Sequence, residues 1–223
     1  MTSTISNEPP IDLAGLTEHL RRTQGSARRL VAIAGPPGAG KSTVAERLCA
    51  GLNRDAADVA RVLAMDGFHL DDRVLEARGQ RARKGGPDTF DVDGLAAMLD
   101  RLHADDGREI AVPVFDRSIE IARAGAEIIP AATRIVIVEG NYLLLDDPAH
   151  PAWACLAPRF DVTVMLEVPR VRLAARLAAR WRGFGLDAAA MTAKIEGNDL
   201  VNADLIVTRS RAADFRLRND DTR

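Results

Sequence analysis

A doubly wound parallel α/β sheet is the fold this sequence predicts, on three observations. Four apolar runs, at residues 29–34, 59–65, 134–139 and 160–166, have the Val/Ile/Leu/Ala character of strands buried on both faces. The stretches between them carry apolar residues at helical spacing. A glycine-rich turn joins the first run directly to a helical stretch, so strand and helix alternate in the order of βαβ units.

The elements follow in order. Residues 1–10 are polar, end in Pro9-Pro10 and read as a loose tail. Residues 11–22 place Leu13, Leu16 and Leu20 on one helical face, and residues 41–52 do the same with Val44, Ala45, Leu48 and Leu52. A short helix is expected over 70–77 and a basic, glycine-rich loop over 80–87. Asp91 or Asp93 is the expected cap of a helix over 95–103. Residues 109–114 and 127–129 read as short strands, the latter an excursion from the main sheet. Helices are expected over 169–182 and 188–195. The triplet Leu205-Ile206-Val207 is expected to be the last strand, and residues 210–223 a second loose tail. No repeat, low-complexity stretch or linker interrupts this order, so residues 1–223 read as one domain.

The chain of 223 residues is 47% hydrophobic and 28% charged, with a formal net charge of −2. That balance gives no bulk reason to expect nucleic acid or an acidic membrane as partner. There is no basic, apolar leader and no run of membrane-spanning length, so a cytoplasmic location is expected. Cys49 and Cys155 lie among apolar residues, far apart, and read as core residues.

The strongest signal is Gly35-Pro36-Pro37-Gly38-Ala39-Gly40-Lys41-Ser42, followed by Thr43. It matches G-x-x-x-x-G-K-[ST], and it sits between a predicted strand and a predicted helix. Glycines let backbone N–H groups curl around phosphates, and the helix N-terminus adds partial positive charge. Lys41 is placed to reach the β- and γ-phosphates, and the Ser42 hydroxyl to ligate Mg2+. ATP and Mg2+ are the expected ligands of this P-loop.

Open parallel sheets bind ligands outside the carboxyl ends of their strands. The second strand ends in Met65-Asp66-Gly67-Phe68-His69 and the 134–139 strand in Glu139-Gly140-Asn141-Tyr142. If these strands are parallel, Lys41, Ser42, Asp66 and Glu139 converge on one cleft. Phosphoryl transfer to an alcohol needs a carboxylate to take the hydroxyl proton, which points to Asp66. Glu139 is placed to hold magnesium, directly or through water. Asp161 begins its strand at the opposite edge and reads as structural.

Taken in order, the phosphate loop, Met65-Asp66-Gly67-Phe68-His69, Arg83-Lys84-Gly85-Gly86-Pro87-Asp88-Thr89-Phe90-Asp91, Pro113-Val114-Phe115-Asp116-Arg117 and Val138-Glu139-Gly140 resemble the phosphoribulokinase and uridine kinase family. The likeness covers roughly residues 30–210. Within the family it is nearest to type I pantothenate kinases and to small bacterial nucleoside/nucleotide kinase-like proteins, some labelled fructokinase. The resemblance implies Asp66 as the base and Glu139 near the metal. It places Lys84, Asp88, Phe90, Asp116 and Arg117 around the acceptor, with Phe68, His69 and Tyr142 as further substrate-side candidates. Uridine kinases carry an aromatic after the catalytic aspartate, whereas Gly67 follows Asp66 here.

Arg172, Arg176 and Arg180 recur every four residues and line one helix face. The resemblance implies a basic helical lid in this region, and Arg176 and Arg180 are its expected phosphate contacts. Gly183 and Gly185 follow as flexible points. Asn198, Asp199 and Asn202 precede the expected last strand, and the sequence does not assign the residues that contact the adenine. The function expected is ATP-dependent phosphorylation of a hydroxyl on a sugar, nucleoside or pantothenate-like metabolite, in a possible homo-oligomer. A regulatory NTPase that hydrolyses ATP without an acceptor is the alternative.

Overall fold

The computed structural model describes residues 9–219. Its centre is a five-stranded parallel sheet built from β1 (Arg29–Ala34), β2 (Ala60–Ala64), β5 (Ile135–Gly140), β6 (Val162–Glu167) and β7 (Phe215–Arg218). The spatial order is β2-β5-β1-β6-β7, with every pairing parallel. The remaining strands, β3 (Ile110–Asp116) and β4 (Ile121–Ile129), form a separate antiparallel hairpin, as the sequence reading of 127–129 anticipates.

The period of two in strands explains why β1 is apolar along its length. Leu30, Ala32 and Ala34 face one core, which holds Leu95 and Leu99 of α4 (Val92–His103). Val31 and Ile33 face the other, against Leu16 and Leu20 of α1 (Leu13–Arg22) and Val44 and Leu48 of α2 (Lys41–Leu52). The helix ends obey capping chemistry. The Asp91 side chain accepts from Gly94 N at the start of α4, and Asp12 accepts from Gly15 N at α1.

Below the amino ends of the strands lies a buried arginine. Arg28 donates from Nε to Thr133 O at 3.0 Å and from Nη1 to Leu102 O at 3.3 Å, and it pairs with Asp105 at 3.3 Å. Asp161 accepts from Leu30 N at 2.8 Å, a structural role at the edge where the sequence puts it.

The C-terminal part departs from expectation. Residues 205–207 belong to α7 (Leu200–Arg209), not to a strand. Leu200, Ala203 and Ile206 are buried at three-residue spacing, while Val201 and Val207 are exposed, which is the burial of a helix. The last strand is instead β7, inside the segment expected to be loose. Its Leu217 is buried, and Arg216 pairs with Glu167 of β6 at 2.9 Å. The end of the first expected tail is ordered as well, since Pro9 O accepts from Arg216 N at 3.1 Å. Residues 1–8 and 220–223 of the two expected tails lie outside the described residues.

Between β6 and β7 run α5 (Arg170–Gly183), α6 (Ala188–Lys194), a π-helical turn at Ile195–Asp199 and then α7. A further short helix, α3 (Asp72–Ala77), follows β2. Cys49 and Cys155 are free thiols. Among the described residues no helix is long and apolar enough to cross a membrane.

Candidate active site

The turns after β1, β2 and β5 meet at the carboxyl edge of the sheet. They line a cleft of about 340 Å³ that includes Lys41, Ser42, Asp66 and Glu139 together. Gly38 and Gly40 of the loop have φ of 80° and 85°, a region that glycine enters without a steric cost. The loop also leaves no room for a side chain at Gly38, where a Cβ would stand 3.2 Å from Leu177 Cγ of α5.

Lys41 opens α2 and is buried, its ammonium donating to Pro36 O at 3.1 Å. Burial lowers its pKa from the usual lysine value, opposed by the charges of Glu139 and Asp66. The Ser42 hydroxyl donates to Glu139 Oε1 at 2.9 Å. Burial raises the pKa of Glu139, while Lys41 pulls it back. Among the described residues no three His, Cys, Asp or Glu side chains group as a metal cage. The adjacent oxygens of Ser42 and Glu139 nonetheless suit magnesium, which keeps several waters and takes other ligands from phosphates.

Asp66 sits in the 3-10 turn Met65–Phe68 that ends β2. The hairpin packs against this turn so closely that a Cβ on Gly67 would lie 2.6 Å from Pro113 O. From the hairpin tip, Arg117 Nη2 donates to Asp66 Oδ2 at 2.6 Å. The His69 ring lies beside Asp66 O, with Nδ1 at 2.9 Å. Its pKa is held below the ordinary value by burial, with Asp66 opposing. Lys84 donates to Asp72 Oδ1 at 2.6 Å and to Glu120 O at 2.7 Å, so it ties α3 to the hairpin. Phe90, His69 and Phe115 form a continuous aromatic wall, with centroids 4.0 and 4.7 Å apart.

On the lid side, Arg180, Trp181 and Lys194 line the cleft with Asn198, Asp199 and Asn202. Trp181 Nε1 donates to Asp199 Oδ2 at 2.6 Å, and burial raises the pKa of Asp199. The π-helical turn carries Asn198 and Asp199. Such turns, rare in general, recur at functional sites.

Most of the expected site residues are therefore together, but not all. Pro37, Gly38, Gly40, Thr43, His69, Lys84, Phe90, Arg117 and Arg180 line the cleft, whereas Gly35, Pro36 and Ala39 lie behind it in the loop. Arg176 is not among the cleft-lining residues. It donates to Asn219 O at 2.8 Å and to Gly38 O and Ala39 O at 3.4 Å, bracing the loop from behind. Tyr142 is fully buried, and its hydroxyl donates to Gly85 O at 2.7 Å, so it packs and does not line the cleft. Phe68 is buried in the core. Asp88 accepts from or pairs with His150 Nδ1 at 2.8 Å, away from the cleft, and Asp116 pairs with Arg123 at 3.2 Å. Asn198 donates to Lys84 O at 3.3 Å and lines the cleft with Asp199 and Asn202. Sequence reasoning missed Arg81, Trp181 and Lys194, and reached Phe115 and Glu120 only within the segment 113–120 that the resemblance puts around the acceptor; all five line the cleft. Phe115 and Trp181 stood beside residues already singled out, Asp116 and Arg180, and that adjacency was the available signal.

Comparison with known proteins agrees with this geometry. The sequence model of the Phosphoribulokinase / Uridine kinase family matches residues 30–214. A protein of Schizosaccharomyces pombe with the provisional name uridine kinase is 32% identical over 186 residues, 80% of this chain and 78% of its own. The pantothenate kinase of Streptomyces coelicolor is 32% identical over 151 residues, 65% of this chain and 45% of its own. A crystal structure from Silicibacter sp. TM1040, provisionally described as a fructose transport system kinase, superposes with a TM-score of 0.84 at 41% identity. It covers 92% of this chain and 98% of that one.

Proposed function

This chain belongs to the phosphoribulokinase / uridine kinase family of P-loop kinases, and from that premise we propose that it transfers the γ-phosphoryl group of ATP to a hydroxyl of a small metabolite. The observation that carries the reading is the sharing of one cleft by the phosphate loop and the Asp66 carboxylate. A transferred phosphoryl group needs positioning and charge neutralisation, and the attacking hydroxyl needs a proton acceptor nearby.

Each role falls to a residue already placed. The backbone from Gly38 to Thr43 and the Lys41 ammonium hold the phosphates. Ser42 and Glu139 would hold magnesium, which when bound supplies charge neutralisation at the phosphates. Asp66 takes the proton of the acceptor hydroxyl. Arg180, on the lid helix and lining the cleft, meets the charge on the moving group. The relatives carry names from nucleoside, pantothenate and sugar phosphorylation, and these are the acceptor classes to test.

The test is ADP release from ATP and magnesium with sugars, nucleosides and pantothenate, each against a blank without acceptor. Asp66→Asn is expected to lower turnover by about 10²- to 10⁴-fold, the usual worth of a general base, while nucleotide affinity holds. Near-normal turnover in that variant would remove Asp66 from the role. Equal hydrolysis with and without acceptor would instead favour a regulatory NTPase.

A further inference from the structure

We infer that the acceptor is an uncharged hydroxyl compound, carrying neither carboxylate nor phosphate. This inference rests on the kinase reading and narrows it: sugars and nucleosides remain, and pantothenate and sugar phosphates are set aside.

The first argument is the state of the cations around Asp66. Arg81 Nε is held by Asp72 Oδ2 at 2.7 Å, and Lys84 by Asp72 Oδ1 at 2.6 Å and Glu120 O at 2.7 Å. Arg117 is held by Asp66 at 2.6 Å. An anionic acceptor would have to draw one of these cations from its partner. The abandoned Asp72 or Asp66 would then be left without its counter-charge inside the cleft wall, a cost that offsets the new contact.

Besides Lys41 of the phosphate loop, whose charge Glu139 and Asp66 oppose, two cations lining the cleft, Arg180 and Lys194, make no ion pair among the described residues. Both belong to the lid, 5.3 and 5.4 Å from the Trp181 ring centroid. Arg180 lies one turn beyond Leu177, the residue that touches the phosphate loop at Gly38. The carboxylates of Asp199, Asp66 and Glu120 act on Arg180 as opposing charges, so its charge is already balanced within the cleft.

The second argument is His69. Its Nδ1 lies 2.9 Å from a carbonyl oxygen, which can only accept, so Nδ1 carries the hydrogen. Burial keeps the ring neutral near pH 7. Nε2 is then a lone pair, able to accept an O–H and repelled by an anionic oxygen. Glu120 lines the same part of the cleft and adds a second carboxylate unfavourable to an anion. Phe90 and Phe115 complete the wall with carbon surface.

The experiment uses matched acceptors with the same skeleton and different charge, in the ADP-release assay on the full chain. The pairs are pantothenol with pantothenate, fructose with fructose 6-phosphate, and ribulose with ribulose 5-phosphate, with uridine as a further neutral compound. The expected result is a neutral acceptor with kcat/KM at least about tenfold above any anionic one, the scale of one unmatched polar contact. An anionic member favoured over its neutral partner overturns the inference and leaves the kinase reading standing. ADP release that ignores the acceptor, or is absent throughout, overturns the kinase reading and the inference with it. For His69, the Leu variant is expected to raise the acceptor KM about tenfold with the ATP KM unchanged, and His69→Gln, which keeps an acceptor oxygen, to restore most of it. An acceptor KM unchanged in His69→Leu would overturn the role of Nε2.

Discussion

Arg117 and Asp66 are joined at 2.6 Å although 51 residues separate them and the turns that carry them follow strands of different sheets. The carboxylate assigned to proton transfer thus has its charge matched by a hairpin residue. A substrate hydroxyl must share that carboxylate with the guanidinium. Arg117→Gln is expected to lower kcat/KM for the acceptor by about 10- to 100-fold, the worth of a hydrogen bond to a charged group, with ATP affinity within about twofold. Steady-state kinetics with nucleotide titration checks this, and an unchanged kcat/KM would make the pair incidental.

Gly67 sets how close the hairpin comes. A methyl group there would stand 2.6 Å from Pro113 O and 2.9 Å from its carbonyl carbon, and backbone cannot swing aside as a side chain does. Gly67→Ala is expected to destabilise the fold by about 1–3 kcal/mol through overpacking. It should also reduce acceptor turnover more than ATP binding, because the strand it displaces leads to Phe115 and Arg117. Melting temperature and kinetics, measured together, test both parts.

At the opposite edge, Arg28→Met should act on stability alone. It removes the donor to four carbonyls and the partner of Asp105 at a buried position. Breaking such a buried arrangement costs about 3–5 kcal/mol. Urea unfolding reads the loss directly. A change below about 1 kcal/mol would mean that Arg134, also 2.8 Å from Asp105, holds the corner by itself.

His69 gives a pH dependence with a definite sign. Burial lowers its folded pKa from 6.5, so the unfolded chain binds the proton more readily than the folded one. Its contribution is neutral above 6.5 and becomes a penalty as pH falls from 6.5 towards the lower folded value. His69→Gln should therefore show a smaller drop in melting temperature between pH 7.5 and 5.5 than the parent chain. An equal drop in both would assign the acid sensitivity elsewhere.

The phosphate side of the site was legible because its chemistry is local. Loop, lysine and serine are contiguous, and strand ends identify Asp66 and Glu139 once the sheet is taken as parallel. The acceptor side depends on packing between distant segments. Arg176 and Arg180 share a helix face and a spacing of four, yet Arg176 bonds to the loop backbone and Arg180 lines the cleft. Nothing in their spacing separates the two. The swap of α7 for a strand has a similar cause. Leu205-Ile206-Val207 is too short a run to show its period, whereas Phe215-Arg216-Leu217-Arg218 is an edge strand whose charges mask it.

The hairpin stands apart from the five-stranded sheet, and its tip brings Phe115, Arg117 and the Glu120 carbonyl to the cleft. On the kinase reading proposed above, nucleotide grip would rest on the sheet-borne loop and part of acceptor choice on the hairpin tip. Substituting or grafting the tip between relatives offers a way to change what is phosphorylated without rebuilding the machinery that holds ATP. A lineage could diversify its metabolite in the same way, by drift in a few exposed hairpin residues over a constant sheet.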